Sequence, residues 1–126
     1  MKMLSLQKKY TIAQVIEFYL KEQNSSEKSM DFDYVDLFSE QALTTIEKDS
    51  FCYLDEPLND DLIDEDENPE GYSDFVLKNN LEMLCSGEIL GSVICNTLHQ
   101  NENASIQDMI DNLNFYIKND TFKTFD

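Results

Sequence analysis

Residues 81–98 read LEMLCSGEILGSVICNTL and combine two kinds of secondary structure in one short stretch. The alternation at its start predicts a strand over 81–85, which we expect to pair with a second strand at 50–54. Ser86 is placed to cap a helix that follows at once. One broad face of that helix is formed by Ile89, Leu90, Val93, Ile94, Thr97 and Leu98. The stretch therefore predicts a sheet and a helical layer within one domain.

Amphipathic helices are also predicted towards both ends of the chain. Thr11 and Gln14 have the spacing of a capping box, and the helix they begin is expected to end near 24–26. Its apolar stripe consists of Ile12, Val15, Ile16, Tyr19 and Leu20. Ser105 is expected to cap the last helix, with Asp108 in its first turn. The stripe of that helix consists of Ile106, Met109, Ile110, Leu113, Tyr116 and Ile117.

The remaining segments complete the predicted fold. A short strand or turn is expected near 31–35. A helix is expected to follow it, because Val35, Phe38, Ala42 and Ile46 recur at helical spacing. Another short helix is expected over 72–79, and the tail at 121–125 either packs back or adds an edge strand. The prediction is a single helix-rich α+β domain over 1–126. Its small antiparallel sheet has two to four strands and is packed by three to five helices.

The charge of the chain is concentrated in its middle. Asp and Glu number 26 against nine lysines, there is no arginine, and the formal net charge is −17. Residues 30–75 hold sixteen of these acids and one lysine. The densest part is residues 55–70, the acidic loop, which is interrupted by Leu58, Leu62 and Ile63. These apolar residues can pin the loop to a core or offer anchors to a partner, and we expect an ordered or partly ordered surface loop.

This charge excludes several classes of protein. Direct nucleic-acid binding needs lysines or arginines to replace the phosphate counterions, and this chain has few. Anionic membranes repel a protein with this negative charge. No apolar run approaches the roughly 20 residues that span a bilayer, and the N-terminal stretch is too short for a signal peptide. Cys52, Cys85 and Cys95 lack metal or redox spacing, and the last two are expected to be core thiols. We therefore expect a cytoplasmic protein.

Motifs for catalysis or metal binding are missing from the sequence. Asp64-x-Asp66-x-Asn68 matches the first three ligand positions of an EF-hand, but Pro69 and Phe75 replace the required Gly and Glu. His99, the sole histidine, is expected at a helix end, where its charge would complement the helix dipole. No phosphate-binding glycine loop or nucleophile elbow occurs. We expect no enzyme, no catalytic residue, no cofactor and no metal.

An acidic α+β protein of this size without catalytic motifs resembles the immunity proteins of bacterial contact-dependent growth inhibition and related toxin systems. This resemblance implies a protein that binds and neutralises a cognate toxin domain, often a basic nuclease, in the cytoplasm of the producing cell. It implies occlusion of the toxin's active site by a monomer bound one to one.

A second resemblance is to an uncharacterised bacterial domain family, and it covers roughly residues 10–22 and 50–122. It is carried by residues 51–55, by residues 64–70, and by residues 106–116 with Asn119-Asp120-x-Phe122. It implies no biochemical activity.

The surface expected to bind the toxin is the acidic loop with the residues beside it. Carboxylates would pair with lysines and arginines of the toxin's substrate groove, and apolar neighbours would supply buried anchors. The predicted partner-binding residues are Asp60, Asp61, Leu62, Ile63, Asp64, Glu65, Asp66, Glu67, Glu70, Tyr72 and Phe75.

Four alternatives to the immunity function remain open from the sequence. One is a nucleic-acid-mimicking inhibitor encoded by a phage or mobile element. The second is an adaptor that docks through an exposed tail containing Phe122 and Phe125. The third is a small enzyme or metal-dependent protein, which requires carboxylates in a pocket. In the fourth, the acidic loop is only a solvated face that keeps the protein in solution.

Overall fold

The computed structural model describes residues 5–23, 34–40 and 45–125, and these residues form an antiparallel sheet layered against helices. The strands are β1 (Lys9–Thr11), β2 (Asp36–Ser39), β3 (Phe51–Asp55) and β4 (Glu82–Ser86). The helices are α1 (Ile12–Gln23), α2 (Asp74–Lys78), α3 (Gly87–Gln100) and α4 (Ile106–Asn119). The predicted α+β class is confirmed, as are the small antiparallel sheet of two to four strands and the three to five helices packed on it.

The strands are ordered β1-β3-β2-β4, and every neighbouring pair is antiparallel. The predicted pairing of 81–85 with 50–54 is wrong, because β2 lies between those strands: Leu37 is opposite Leu54 on one side and Cys85 on the other. All four residues of β2 are buried. Such a strand needs hydrogen-bonding partners on both edges, and it therefore takes the inner position.

The segment before β3 differs from its prediction. The strand expected near 31–35 lies at Asp36–Ser39, and residues 45–50 form turns, not a helix. Residues 31–33 and 41–44 lie outside the described part of the chain. Leu37 packs in the main core and Phe38 in a second cluster on the opposite face. Burial on both faces removes the alternating pattern that normally marks a strand.

The amide of Asn114 explains why Ile46 is buried without being helical. Its Nδ2 donates to the Ile46 carbonyl oxygen at 2.8 Å, and its Oδ1 accepts from the Ile46 N–H at 2.7 Å. The side chain thus satisfies both backbone groups of Ile46 and fixes this residue against α4. The helical spacing of Phe38 and Ile46 in the sequence therefore does not mark a helix.

One face of the sheet and helices α1, α3 and α4 enclose the main core. The predicted caps are present: Thr11 and Gln14 exchange two hydrogen bonds, and Ser86 Oγ accepts from the Ile89 N–H at 3.0 Å. Ser105 forms a full capping box at the start of α4. The fully buried members of the core include Ile12, Val15, Ile16, Leu37, Leu54, Val93, Ile94, Ile110 and Leu113.

The three thiols lie in different surroundings. Cys52 and Cys85 are buried, and burial raises the pKa of each thiol to about 12, which keeps both protonated. Cys95, expected in the core, is exposed and lies 3.8 Å from the Tyr19 hydroxyl. Its neighbour Ile94 takes the core-facing position of this turn of α3, so Cys95 is turned outward.

The C-terminal segment packs back onto α3 and α4. The Lys123 N–H donates to Asn112 Oδ1 at 2.7 Å, and Asn112 Nδ2 donates to Thr97 Oγ1 at 2.9 Å. The ring of Phe122 contacts that of Tyr116 at a centroid distance of 5.0 Å. Phe122 and Phe125 are both partly buried. The tail is therefore held by the domain, which counts against an adaptor that docks through a free tail.

Replacement of Asn112 by alanine is expected to lower the free energy of unfolding by about 1–3 kcal/mol, because it leaves buried polar groups without partners. Urea denaturation of the variant against wild type measures this difference. Asn103→Ala, at an exposed position between α3 and α4, serves as the control and should leave the midpoint unchanged. Equal stability of the two variants would show that water satisfies the groups around Asn112.

Candidate acidic docking surface

The acidic loop leaves the sheet at the end of β3 and is internally ordered. The Asn59 N–H donates to the Gly71 carbonyl oxygen at 2.9 Å, which closes the loop near its base. A short 3₁₀ turn, Asp60–Leu62, follows, and the Asn59 side chain caps it. Further out, Asp64 and Asn68 exchange two backbone hydrogen bonds, of 2.9 and 2.8 Å. Backbone hydrogen bonds therefore close the loop at its base and near its tip.

The buried side chain of Asn68 holds the loop together. Its Nδ2 donates to the carbonyl oxygens of Leu62 at 3.1 Å and Tyr72 at 2.9 Å, and its Oδ1 accepts from the Tyr72 N–H at 2.9 Å. Three hydrogen bonds from one amide thus tie the outgoing part of the loop to its return. In the sequence Asn68 stands out only as an EF-hand-like position, although the Asn-Pro pair just before Glu70-Gly71 is a recognisable turn signal.

Gly71 allows the loop to close. Its φ is +78°, a left-handed conformation that disfavours residues with a side chain. A Cβ at this position would lie 2.4 Å from the carbonyl oxygen of Asn59. The close approach of the two backbone segments therefore requires glycine.

Two of the residues predicted to anchor a partner, Tyr72 and Phe75, pack against other side chains of the protein itself. They pack beside a small cluster formed by Phe38, Val76 and Leu81 on the outer face of the sheet. The Tyr72 ring stands edge-on to Phe38 at 6.1 Å, and the rings of Phe75 and Tyr53 lie 5.6 Å apart. Both rings are only partly exposed. Their contacts attach the returning end of the acidic loop to the sheet.

The other predicted partner-binding residues lie on the free surface of the loop. Leu62 and Ile63 keep 44 % and 47 % of their surface exposed, and Leu58, nearer the base, keeps 39 %. An open depression of about 490 Å³ is lined by residues 56–61. The exposed carboxylates of the loop belong to Glu56, Asp60, Asp61, Asp64, Glu65, Asp66, Glu67 and Glu70. The structure therefore brings acidic and apolar side chains together on one ordered element.

The EF-hand-like residues do not converge on a common point. Asp64 Oδ1 accepts from the N–H groups of Asp66 and Glu67, and the Asn68 amide is directed into the loop. Within the described residues, no three His, Cys, Asp or Glu side chains are grouped as metal ligands. His99 lies exposed in the last turn of α3, at the helix end where it was expected.

Two buried carboxylates lie where the acidic loop joins the sheet. Asp55 accepts hydrogen bonds from Ser73 Oγ at 2.5 Å and from Gln7 Nε2 at 3.3 Å. Asp36 stands opposite Asp55 in the register. Burial raises the pKa of the Asp36 carboxyl above its ordinary value, and hydrogen bonding by the Leu58 backbone partly opposes this rise. In the sequence both residues appear only as part of the total charge.

The longest helices in the described part of the chain, α3 and α4, have 14 residues each, and none is long and apolar enough to cross a membrane.

Comparison with known proteins places the chain in a family without a known activity. No curated protein sequence and no solved structure matches it. One family model, described as a domain of unknown function (DUF7716), matches residues 19–125. The match covers most of the chain, including the acidic loop and all three helices that follow β3. The chain therefore belongs to the DUF7716 family.

Proposed function

We propose that this protein is an immunity-type inhibitor that binds a basic toxin domain through the acidic loop and occludes its active site. In this proposal the protein works in the cytoplasm as a monomer bound one to one to the toxin, which we take to be a nuclease. The chain itself performs no catalysis and contacts no nucleic acid. The acidic loop replaces the phosphates that the toxin's groove would otherwise hold.

The observation that carries the proposal is the composition of the ordered loop surface. Eight exposed carboxylates share the loop with three exposed apolar side chains, and no lysine occurs between residues 49 and 77. A surface that serves only solubility needs charge but gains nothing from exposed Leu62 and Ile63. A protein interface combines apolar residues, which are buried at its centre, with a charged rim.

Order in the loop also favours binding. Asn59, Asn68 and Gly71 fix the backbone that carries the charges, so little conformational entropy is lost when a partner docks. The uncompensated negative charge would attract a cationic groove over a distance of about one Debye length, which speeds association. The negative charge therefore raises the association rate, and burial of the apolar side chains slows dissociation.

The proposal is tested by expressing the product of the adjacent gene with and without this chain. We expect the neighbour to arrest growth alone, co-expression to restore growth, and the purified neighbour to lose its activity at a one-to-one ratio with this chain. A harmless neighbour, or a toxic one that this chain neither binds nor relieves, would contradict the immunity function. Inhibition of a defence nuclease instead would favour the nucleic-acid mimic.

A further inference from the structure

Residues 121–125, the C-terminal tail, are held on α3 and α4 by side-chain amides that bond to the backbone of the tail. Asn112 Oδ1 accepts from the Lys123 N–H at 2.7 Å. Gln100 Nε2 donates to the Lys123 carbonyl oxygen at 2.7 Å, and Gln100 Oε1 accepts from the Phe125 N–H at 2.9 Å. Gln100 thus pairs with the tail as a neighbouring strand would, through backbone groups that most sequences offer.

The amides of this site are fixed by one another. Asn96 Oδ1 accepts from Asn112 Nδ2 at 3.0 Å and from Gln100 Nε2 at 2.8 Å. Asn112 Nδ2 also donates to Thr97 Oγ1, and Asn112 is fully buried. Four polar side chains on two helices thus form one network that ends in the bonds to the tail. Because the helices hold these groups in place, the site is formed in advance for a segment that occupies it.

An aromatic ring adds a side-chain contact to these backbone bonds. The rings of Phe122 and Tyr116 lie 5.0 Å apart, and Phe122 packs against the main core. The Lys123 ammonium lies 5.2 Å from the centre of the Phe125 ring, which is a contact within the tail. Thr124 is exposed. The site therefore selects an occupant by an aromatic residue placed directly before the residue that bonds to Asn112 and Gln100.

The connection between α4 and the tail can favour release. The chain turns at Asp120, whose φ is +58°. This left-handed conformation costs energy in residues that carry a side chain, although aspartate adopts it more readily than most. Departure of the tail would let Asp120 relax. While it is docked, the attached tail competes with any other segment at an effective concentration on the order of millimolar.

We propose that this site on α3 and α4 binds a peptide segment of another protein, and that the C-terminal tail is an intramolecular occupant which such a segment displaces. The segment carries an aromatic residue where the tail has Phe122, and it has no proline where the tail donates from Lys123 and Phe125. A partner is favoured over a second copy, because a net charge of −17 on each chain opposes their association. The inference does not rest on the proposed function, since the acidic loop is attached to the opposite face of the sheet.

Fluorescence anisotropy of a labelled peptide with the sequence of residues 121–125 tests the site on the full chain. Wild type should bind the peptide weakly, because its own tail is docked. Phe122→Ala combined with Lys123→Pro removes the ring and one N–H from the attached tail, and this tail variant should bind the peptide at least about tenfold more tightly. Gln100→Ala added to the tail variant should weaken that binding again by about tenfold. Thr124→Ala, at an exposed position of the tail, is the control and should bind as weakly as wild type.

Equal affinity of the tail variant and wild type, or binding that Gln100→Ala leaves unchanged, would overturn the peptide site. If the double substitution prevents folding, Phe122→Ala alone carries the same prediction with a smaller gain in affinity. A wild-type dimer that the peptide dissociates would identify the tail of a second copy as the occupant and overturn the assignment to a partner. Because no toxin is present, failure here leaves the proposed docking function standing, and failure of docking leaves the peptide site standing.

Discussion

Reversal of four loop carboxylates to lysine is expected to slow association with the basic partner by about 10- to 1000-fold at low ionic strength. The residues are Asp61, Glu65, Asp66 and Glu67, whose side chains are exposed. Asp64 is left unchanged because its carboxylate accepts from the backbone of the turn. The effect should shrink towards physiological salt, where the Debye length is about 8 Å. Stopped-flow mixing with the purified toxin at two salt concentrations measures it.

A matched variant separates local charge from net charge. Reversal of four exposed acids elsewhere changes the net charge by the same amount: Glu17, Glu47, Glu82 and Glu102. We expect this control to associate much faster than the loop variant, because it keeps all the negative charges of the acidic loop. Equal slowing of both variants would mean that total charge alone governs encounter, and the loop would then be only a solvated face.

Replacement of Asn68 by alanine is expected to weaken the complex by about 10- to 100-fold while the association rate changes little. The variant keeps every carboxylate but loses three hydrogen bonds that order the loop. Ordering each mobile side chain at an interface costs about 0.5–1.5 kcal/mol, and a loosened loop incurs that cost on binding. The loss should therefore appear as faster dissociation, measured by surface plasmon resonance.

Asn119→Ala is the control for this effect, since among the described residues its amide bonds only to the Phe115 carbonyl oxygen on an exposed helix end. It should bind like the wild type. Limited proteolysis should cut the Asn68→Ala variant within the acidic loop and leave the control intact. If Asn68→Ala is cut in the loop yet dissociates at the wild-type rate, loop order contributes nothing to binding.

The helical part of the fold was predictable because its signals are local. Capping by Thr11, Ser86 and Ser105 involves residues three apart, and each amphipathic stripe repeats within a single helix. The sheet order was not predictable in this way. The position of β2 depends on burial of Leu37 and Phe38 on opposite faces, which involves partners far along the chain.

The acidic loop was predictable from composition, but its architecture was not. Pro57, Pro69 and the run of acids marked its extent and its exposure. The residues that order it act through long-range or inward contacts: Asn68 to the returning backbone, and Asp55 to Ser73. A buried aspartate and an exposed one look alike in a count of charges, so Asp36 and Asp55 did not stand out.

Hydrogen exchange of the whole chain, free and bound to the toxin that it neutralises, tests the docking surface most directly. If the acidic loop is the interface, amides of residues 58–70 should gain protection on binding, while those on the exposed sides of α3 and α4 should not change. Protection confined to the helices or to the outer face of the sheet, with residues 58–70 unchanged, would contradict the assignment of this loop as the docking surface.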